Sequence, residues 1–129
     1  IISDARESYI SLNEKTQEIL KSRPLRVQIP GHIYNQESNT YLNKLIVEDS
    51  DIGLNFSFRP DVIDDNIDPE LKYALDCFYS SINEKSFSVF LDKGQILAIN
   101  NRIMLHSRSA LKDGYNSIRH IKRILVMKR

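Results

Sequence analysis

Apolar and polar residues alternate along several short stretches of the chain, a pattern typical of β-strands that bury one face. These stretches are bounded by turn-forming residues and are too short for most helices. The pattern therefore predicts a mainly β fold with flanking helices. The six predicted strands are residues 25–29, 44–47, 53–58, 87–91, 95–100 and 121–127.

Two other stretches carry helical signals. Ser11-Leu12-Asn13-Glu14 has the spacing of a capping box, in which the Ser hydroxyl accepts from the Glu backbone N–H; it predicts a helix that ends before Pro24. Further along, Asp68 is a good N-cap and Pro69 suits the first helical position. The apolar residues that follow recur at helical spacing, so we predict a second helix over residues 68–85.

Composition limits the class of protein. The chain has 129 residues, 41% of them hydrophobic and 27% charged, which is typical of one globular domain. It contains no apolar run of membrane-spanning length and no secretory signal pattern. Its single cysteine, Cys77, excludes an internal disulfide and a multi-cysteine metal site. We therefore expect a cytoplasmic protein without a membrane partner.

Charge is unevenly distributed. Residues 102–129 contain eight Lys or Arg residues and one Asp, whereas the preceding residues carry an excess of acidic groups. The C-terminal end should therefore attract anions. Nucleic acid is the least favoured ligand, because no recognisable nucleic-acid motif and no interleaved aromatic residues accompany these cations. Small carboxylates fit at least as well.

The most informative stretch is GQILAINNRIMLHSR, residues 94–108, which reads as two apolar strands joined by a polar turn and ends near His106. A lone histidine is more often structural than a ligand. Downstream, Arg119 and Arg123 fall on the same face of a predicted apolar strand. Arginines there are costly to bury unpaired, so they indicate bound carboxylates from a ligand or from the protein. The alternative is a surface salt-bridge ladder with the acidic loop before Asp68.

Together these residues resemble the C-terminal part of iron(II)/2-oxoglutarate oxygenases of the taurine dioxygenase and clavaminate synthase-like superfamily. The closest resemblance is to the amino-acid hydroxylases of that group, whose pattern here is GD-x-L-x-x-DN-x-R-x-x-HGR. His106 is in register with the histidine of that pattern. Gln95 replaces the first acid, Asn100 replaces Asp, and Ser107 replaces Gly.

The resemblance implies a role for each candidate residue. His106 would be the distal histidine of a two-His-one-carboxylate Fe(II) site. Arg119 would hold the distal carboxylate of 2-oxoglutarate, and Arg123 would bind a substrate carboxylate or assist the cosubstrate. In Arg59-Pro60-Asp61, Asp61 would bind a substrate amino group; ordinary loop capping is the alternative for this residue. The family couples decarboxylation of 2-oxoglutarate to hydroxylation of a C–H bond.

The implied fold is a double-stranded β-helix, or jelly-roll, with the 68–85 helix packed outside it. The family supplies its other two iron ligands as H-x-D or H-x-E, and none of the three histidines here begins such a motif. The chain also begins at Ile1 instead of Met. We therefore expect residues 1–129 to be the C-terminal part of a single oxygenase domain, with an incomplete jelly-roll, inactive alone and prone to oligomerise or to associate with its missing N-terminal part.

Two functions follow from this reading. The first is an iron(II)/2-oxoglutarate-dependent dioxygenase that hydroxylates an amino acid or a similar small carboxylate. The alternative is a non-catalytic jelly-roll module that binds anions or a protein partner. An H-x-D/E motif upstream in the complete gene product would favour the first.

Overall fold

The computed structural model describes residues 1–29, 40–63 and 66–107. Two helices follow the first strand, four short strands come next, and a long helix and a last strand complete the described elements. In order they are β1 (Ile2–Asp4), α1 (Ala5–Ile10), α2 (Glu14–Ser22), β2 (Leu25–Ile29), β3 (Thr40–Lys44), β4 (Val47–Ser50), β5 (Gly53–Phe56), a 3-10 turn (Pro60–Val62), α3 (Pro69–Glu84) and β6 (Met104–His106).

Helix α3 confirms the prediction for residues 68–85. The Asp68 carboxylate accepts hydrogen bonds from the backbone N–H groups of Glu70 and Leu71 at 3.0 and 3.3 Å, and Pro69 occupies the first turn. These contacts satisfy N–H groups that have no partner within the helix. Within the described ranges, no helix is long and apolar enough to cross a membrane.

The capping-box prediction is correct about the helix and wrong about its cap. Helix α2 has Asn13 as N-cap, and the Asn13 side chain accepts from the Thr16 backbone N–H at 2.9 Å. Ser11 instead lies at the end of α1, where its hydroxyl donates to the Ser8 carbonyl and pairs with the Ser81 hydroxyl at 3.0 Å. The Ser11 hydroxyl therefore contacts α3 and does not cap α2.

The described strands form three separate antiparallel pairs, β1 with β6, β2 with β3 and β4 with β5. Two isolated bridges extend this pairing, from Ile2 to Phe87 and from Val27 to Ile63. The antiparallel sheets and flanking helices agree with part of the predicted fold class. Within the described residues they do not form a complete double-stranded β-helix.

The predicted strands have mixed outcomes. Residues 25–29 match β2, and residues 53–58 contain β5. The prediction of a single strand over residues 44–47 is wrong, because the chain bends between β3 and β4 and buries Ile46 and Val47 there. Residues 87–91 and 95–100 are not assigned as strands, because within the described ranges only Phe87 has a backbone partner, Ile2, on another segment. Residues 121–127 lie outside the described part of the chain.

Helix α3 supplies the centre of the core. Phe78 is fully buried, and its ring lies 6.3 Å from that of Phe56 and 5.5 Å from that of Phe58. Ser81, also buried, donates to the Ser8 carbonyl of α1 at 3.1 Å, so the helix contact includes a satisfied polar group. The buried face of α3 consists of Leu71, Ala74, Leu75, Phe78, Ser81 and Ile82.

Candidate functional site

His106 is the last residue of β6 and is held there by the N-terminal strand. It lies opposite Ile2 in the β1–β6 register. Beyond it, the Ser107 backbone N–H donates to the Ile1 carbonyl at 3.0 Å, and the Ile1 backbone nitrogen donates to the Ser107 carbonyl at 3.2 Å. The backbone at His106 is therefore fixed on both sides by pairing with residues 1 and 2.

A tight turn positions β6. The carbonyl of Asn100 accepts from the backbone N–H groups of Ile103 and Met104 at 3.2 and 2.9 Å, and the Asn100 side chain accepts from the Arg102 N–H at 3.1 Å. Asn100 stands where the family pattern has Asp, and its amide oxygen helps to close the turn. The Arg102 carbonyl then accepts from the Phe56 N–H at 2.8 Å, which ties the turn to β5.

The alternation of β6 directs His106 away from the core. Leu105 packs against the core cluster, and side chains of successive strand residues lie on opposite faces. Met104 and His106 therefore share the other face, and His106 is exposed. The imidazole of His106 is therefore open to solvent.

Asp61 lies in the 3-10 turn after β5, in an ion pair with Arg59. The Arg59 Nη2 and Nε atoms donate to the two carboxylate oxygens of Asp61 at 2.6 and 3.3 Å. This hydrogen bonding lowers the pKa of Asp61 and raises the pKa of Arg59. Both side chains are more than half exposed. Asp61 is thus an oriented, ionised carboxylate that remains open to solvent.

The ion pair was not anticipated from the sequence, although Arg59-Pro60-Asp61 was singled out for a substrate contact. The sequence signal for this ion pair is that Arg59 and Asp61 are two positions apart, with a proline between them that restricts the backbone. Within the described ranges, the Asp61 carboxylate accepts from Arg59 and from the backbone N–H of Asp61 itself. The bridge from Val27 to Ile63 anchors the chain two residues later.

The other predicted site residues, Arg119 and Arg123, lie outside the described part of the chain. Within the described ranges, no hydrogen bond or ion pair joins His106 and Asp61. Nor do they contain a group of three His, Cys, Asp or Glu side chains that could hold a metal ion. His106 is chemically suitable as one iron ligand, but the described residues do not fit a complete iron site.

Comparison with known proteins supplies the family. The family model for taurine catabolism dioxygenase TauD, TfdA family, matches residues 1–125. No curated protein matches the chain. The match includes the strand pair that holds His106 and the turn that holds Asp61, so both candidate residues lie within the matched region.

Proposed function

Because the chain belongs to the TauD/TfdA family of dioxygenases, we propose that it is part of an iron(II)/2-oxoglutarate-dependent oxygenase that hydroxylates an amino acid or a similar small carboxylate. The family match over residues 1–125 is the observation that carries the proposal. The substrate class is inferred from the sequence pattern of residues 94–108 and from three charged residues, Asp61, Arg119 and Arg123.

His106 is proposed as an iron ligand. Two observations support this role: His106 is in register with the family histidine, and its backbone is fixed by β1. A neutral imidazole is a common ligand for Fe(II). The sequence contains no H-x-D or H-x-E, so we propose that this chain alone is inactive and that turnover belongs to the full-length gene product.

Asp61 is proposed to bind the substrate amino group. An ammonium group needs an ionised acceptor, and the hydrogen bonds from Arg59 keep Asp61 ionised and oriented. A carboxylate has about four lone-pair sites, so the two bonds from Arg59 leave capacity for an incoming N–H donor. The exposure of Asp61 provides access.

The two arginines are assigned by their place in the sequence. Arg119 is proposed to hold the distal carboxylate of 2-oxoglutarate, and Arg123 to hold the substrate carboxylate. A guanidinium group donates two parallel hydrogen bonds to a carboxylate, and such contacts are stronger than neutral ones. The chain would then bind both ends of an amino acid, through Asp61 and Arg123.

The test is succinate formation by the full-length gene product, with Fe(II), ascorbate and a panel of L-amino acids, over a range of 2-oxoglutarate concentrations. We expect Arg119→Ala to raise the KM for 2-oxoglutarate by at least about tenfold, because one lost charge-assisted contact is worth roughly 1.5–3 kcal/mol. Asp61→Asn should instead raise the KM for the amino acid and leave that for 2-oxoglutarate unchanged.

Glu48→Gln is the matched control for Asp61→Asn, because Glu48 is also acidic, lies on β4 away from the 3-10 turn and forms no ion pair within the described ranges. It should change neither KM. If no amino acid stimulates succinate formation, the substrate class is wrong. If Asp61→Asn and Glu48→Gln behave alike, the role of Asp61 is wrong while the oxygenase assignment stands.

A further inference from the structure

The loop after β5, residues 59–68 and hereafter the Asp61 loop, is held by the segment that joins α2 to β2. Val27 of β2 forms a backbone bridge with Ile63 in the middle of the loop. Arg23, the C-cap residue of α2, forms an ion pair with Asp68 at the end of the loop. The short segment between α2 and β2 therefore contacts the Asp61 loop in two places.

Arg23 makes its contact through two carboxylates. Its Nη1 atom donates to both carboxylate oxygens of Asp68, at 3.2 and 3.1 Å, and its Nη2 atom donates to Glu70. The Lys15 ammonium group, near the start of α2, reaches the other Glu70 oxygen at 2.6 Å. A planar guanidinium group that donates to two carboxylates fixes their direction as well as their distance. The end of the Asp61 loop is therefore oriented against α2.

Asp68 passes this contact to the backbone, because the same carboxylate caps α3. Its Oδ1 atom accepts from the backbone N–H groups of Glu70 and Leu71 at 3.0 and 3.3 Å, while Arg23 donates to both of its oxygens. Rotation of the Asp68 side chain would therefore break hydrogen bonds with α2 and with α3 together.

The ion pair between Arg59 and Asp61 does not by itself fix the Asp61 carboxylate relative to the rest of the molecule. Both partners belong to the Asp61 loop, so the pair moves with the loop. Contacts between the loop and its neighbours decide where the carboxylate lies, and the contact from Arg23 is one of these.

We propose that Arg23 is a positioning residue for the substrate, because it holds the end of the Asp61 loop and thereby keeps Asp61 aligned with the substrate amino group. The inference rests on the role given to Asp61 under the proposed function. Arg23 itself acts through Asp68 and needs no contact with the substrate.

Loss of Arg23 should loosen the Asp61 loop without releasing it, because Ile63 and Ile67 also pack against the core cluster. The ion pairs of Arg23 are partly exposed, and pairs of this kind are individually weak. We therefore expect Arg23→Gln to raise the KM for the amino acid by about three- to fivefold. The KM for 2-oxoglutarate should not change.

The test is steady-state succinate formation by the full-length gene product, with Lys21→Gln as the matched control for Arg23→Gln. Lys21 lies on the same helix, is about as exposed as Arg23 and forms an ion pair with Asp49 of β4 at 2.8 Å. The control therefore removes a similar surface ion pair from α2 without touching the Asp61 loop. It should change neither KM.

Two further measurements separate positioning from a general loss of stability. If Arg23 acts through Asp61, Arg23→Gln should raise the KM for the amino acid no further when it is added to Asp61→Asn. Hydrogen–deuterium exchange requires no turnover, and Arg23→Gln should speed the exchange of the backbone amides of residues 61–63, whereas Lys21→Gln should not.

The failure of this inference can be told apart from that of the proposed function. A raised KM for Asp61→Asn beside an unchanged KM for Arg23→Gln would overturn the inference alone, as would full additivity in the double variant or unchanged exchange at residues 61–63. Equal effects of Arg23→Gln and Lys21→Gln would also overturn it. An unchanged KM for Asp61→Asn would overturn the role of Asp61 and the inference with it.

Discussion

Truncating Phe78 to alanine should destabilise the described core more than any surface substitution. Phe78 is fully buried at the centre of α3, and its ring contacts those of Phe56 and Phe58. Phe78→Ala keeps a good helix former at the position, so the expected loss comes from packing and not from helix propensity. The loss combines the transfer free energy of the ring with the cost of the remaining cavity.

The magnitude follows from burial. A fully buried Phe replaced by Ala costs about 3–5 kcal/mol in free energy of unfolding. For a chain of 129 residues, the entropy of unfolding is about 0.27 kcal/mol per kelvin. The melting temperature should therefore fall by about 10–20 °C. The lower end applies if Phe56 and Phe58 move into the space that the ring leaves.

Urea unfolding followed by far-UV circular dichroism measures this loss, at one protein concentration low enough to limit self-association. Tyr73→Ala is the control, because Tyr73 is on the same helix but 62% exposed, and it should change the free energy by less than about 0.5 kcal/mol. A loss below about 1 kcal/mol for Phe78→Ala, or equal losses for both variants, would refute the placement of Phe78 in the core.

Two further predictions concern charge and backbone conformation. Hydrogen bonds from Lys15 and Arg23 lower the pKa of Glu70; for Asp68, desolvation acts to raise the pKa but is outweighed by hydrogen bonds from backbone N–H groups and Arg23. The stability that these carboxylates contribute is fully present above their unfolded pKa values and is lost as pH falls through the lower folded values. In urea unfolding, the loss of free energy caused by Arg23→Gln should therefore be smaller at pH 3 than at pH 7. A loss that is the same at both pH values would contradict this prediction. In the same assay, Gly94→Ala should lower the free energy of unfolding by about 1–2 kcal/mol, because φ at this residue is +89° and no heavy atom lies within 4 Å of an added Cβ. A variant more stable than the wild type would contradict this prediction.

The elements that the sequence predicted well are those set by neighbouring residues. Helix α3 combines an N-cap at Asp68, a proline in the first turn and apolar residues at helical spacing, all of which are local signals. Residues 87–91 and 95–100 have strand-like composition, but a strand needs a backbone partner from a distant segment. Sequence periodicity does not identify that partner. Ser11 shows the same limit, because a contact with Ser81 of α3 decides where its hydroxyl binds.

The candidate site residues come from sequence signals, and the structure adds their local geometry. The register of a family pattern indicates His106, and the structure adds the pairing with Ile2 that fixes its backbone. The place of Asp61 after β5 indicates that residue, whereas its ion pair with Arg59 depends on the conformation of the 3-10 turn. The other ligands of the proposed iron site could not be predicted, because no H-x-D or H-x-E is present in the sequence.

The most direct test of the oxygenase assignment is calorimetric binding of 2-oxoglutarate to the full-length gene product, with and without Fe(II). We expect binding that strengthens when Fe(II) is present, and loss of that Fe(II)-dependent gain in His106→Ala but not in His120→Ala, the control histidine. Binding of neither Fe(II) nor 2-oxoglutarate by the wild-type protein would contradict the assignment. An unchanged Fe(II)-dependent gain in His106→Ala would contradict the role of His106.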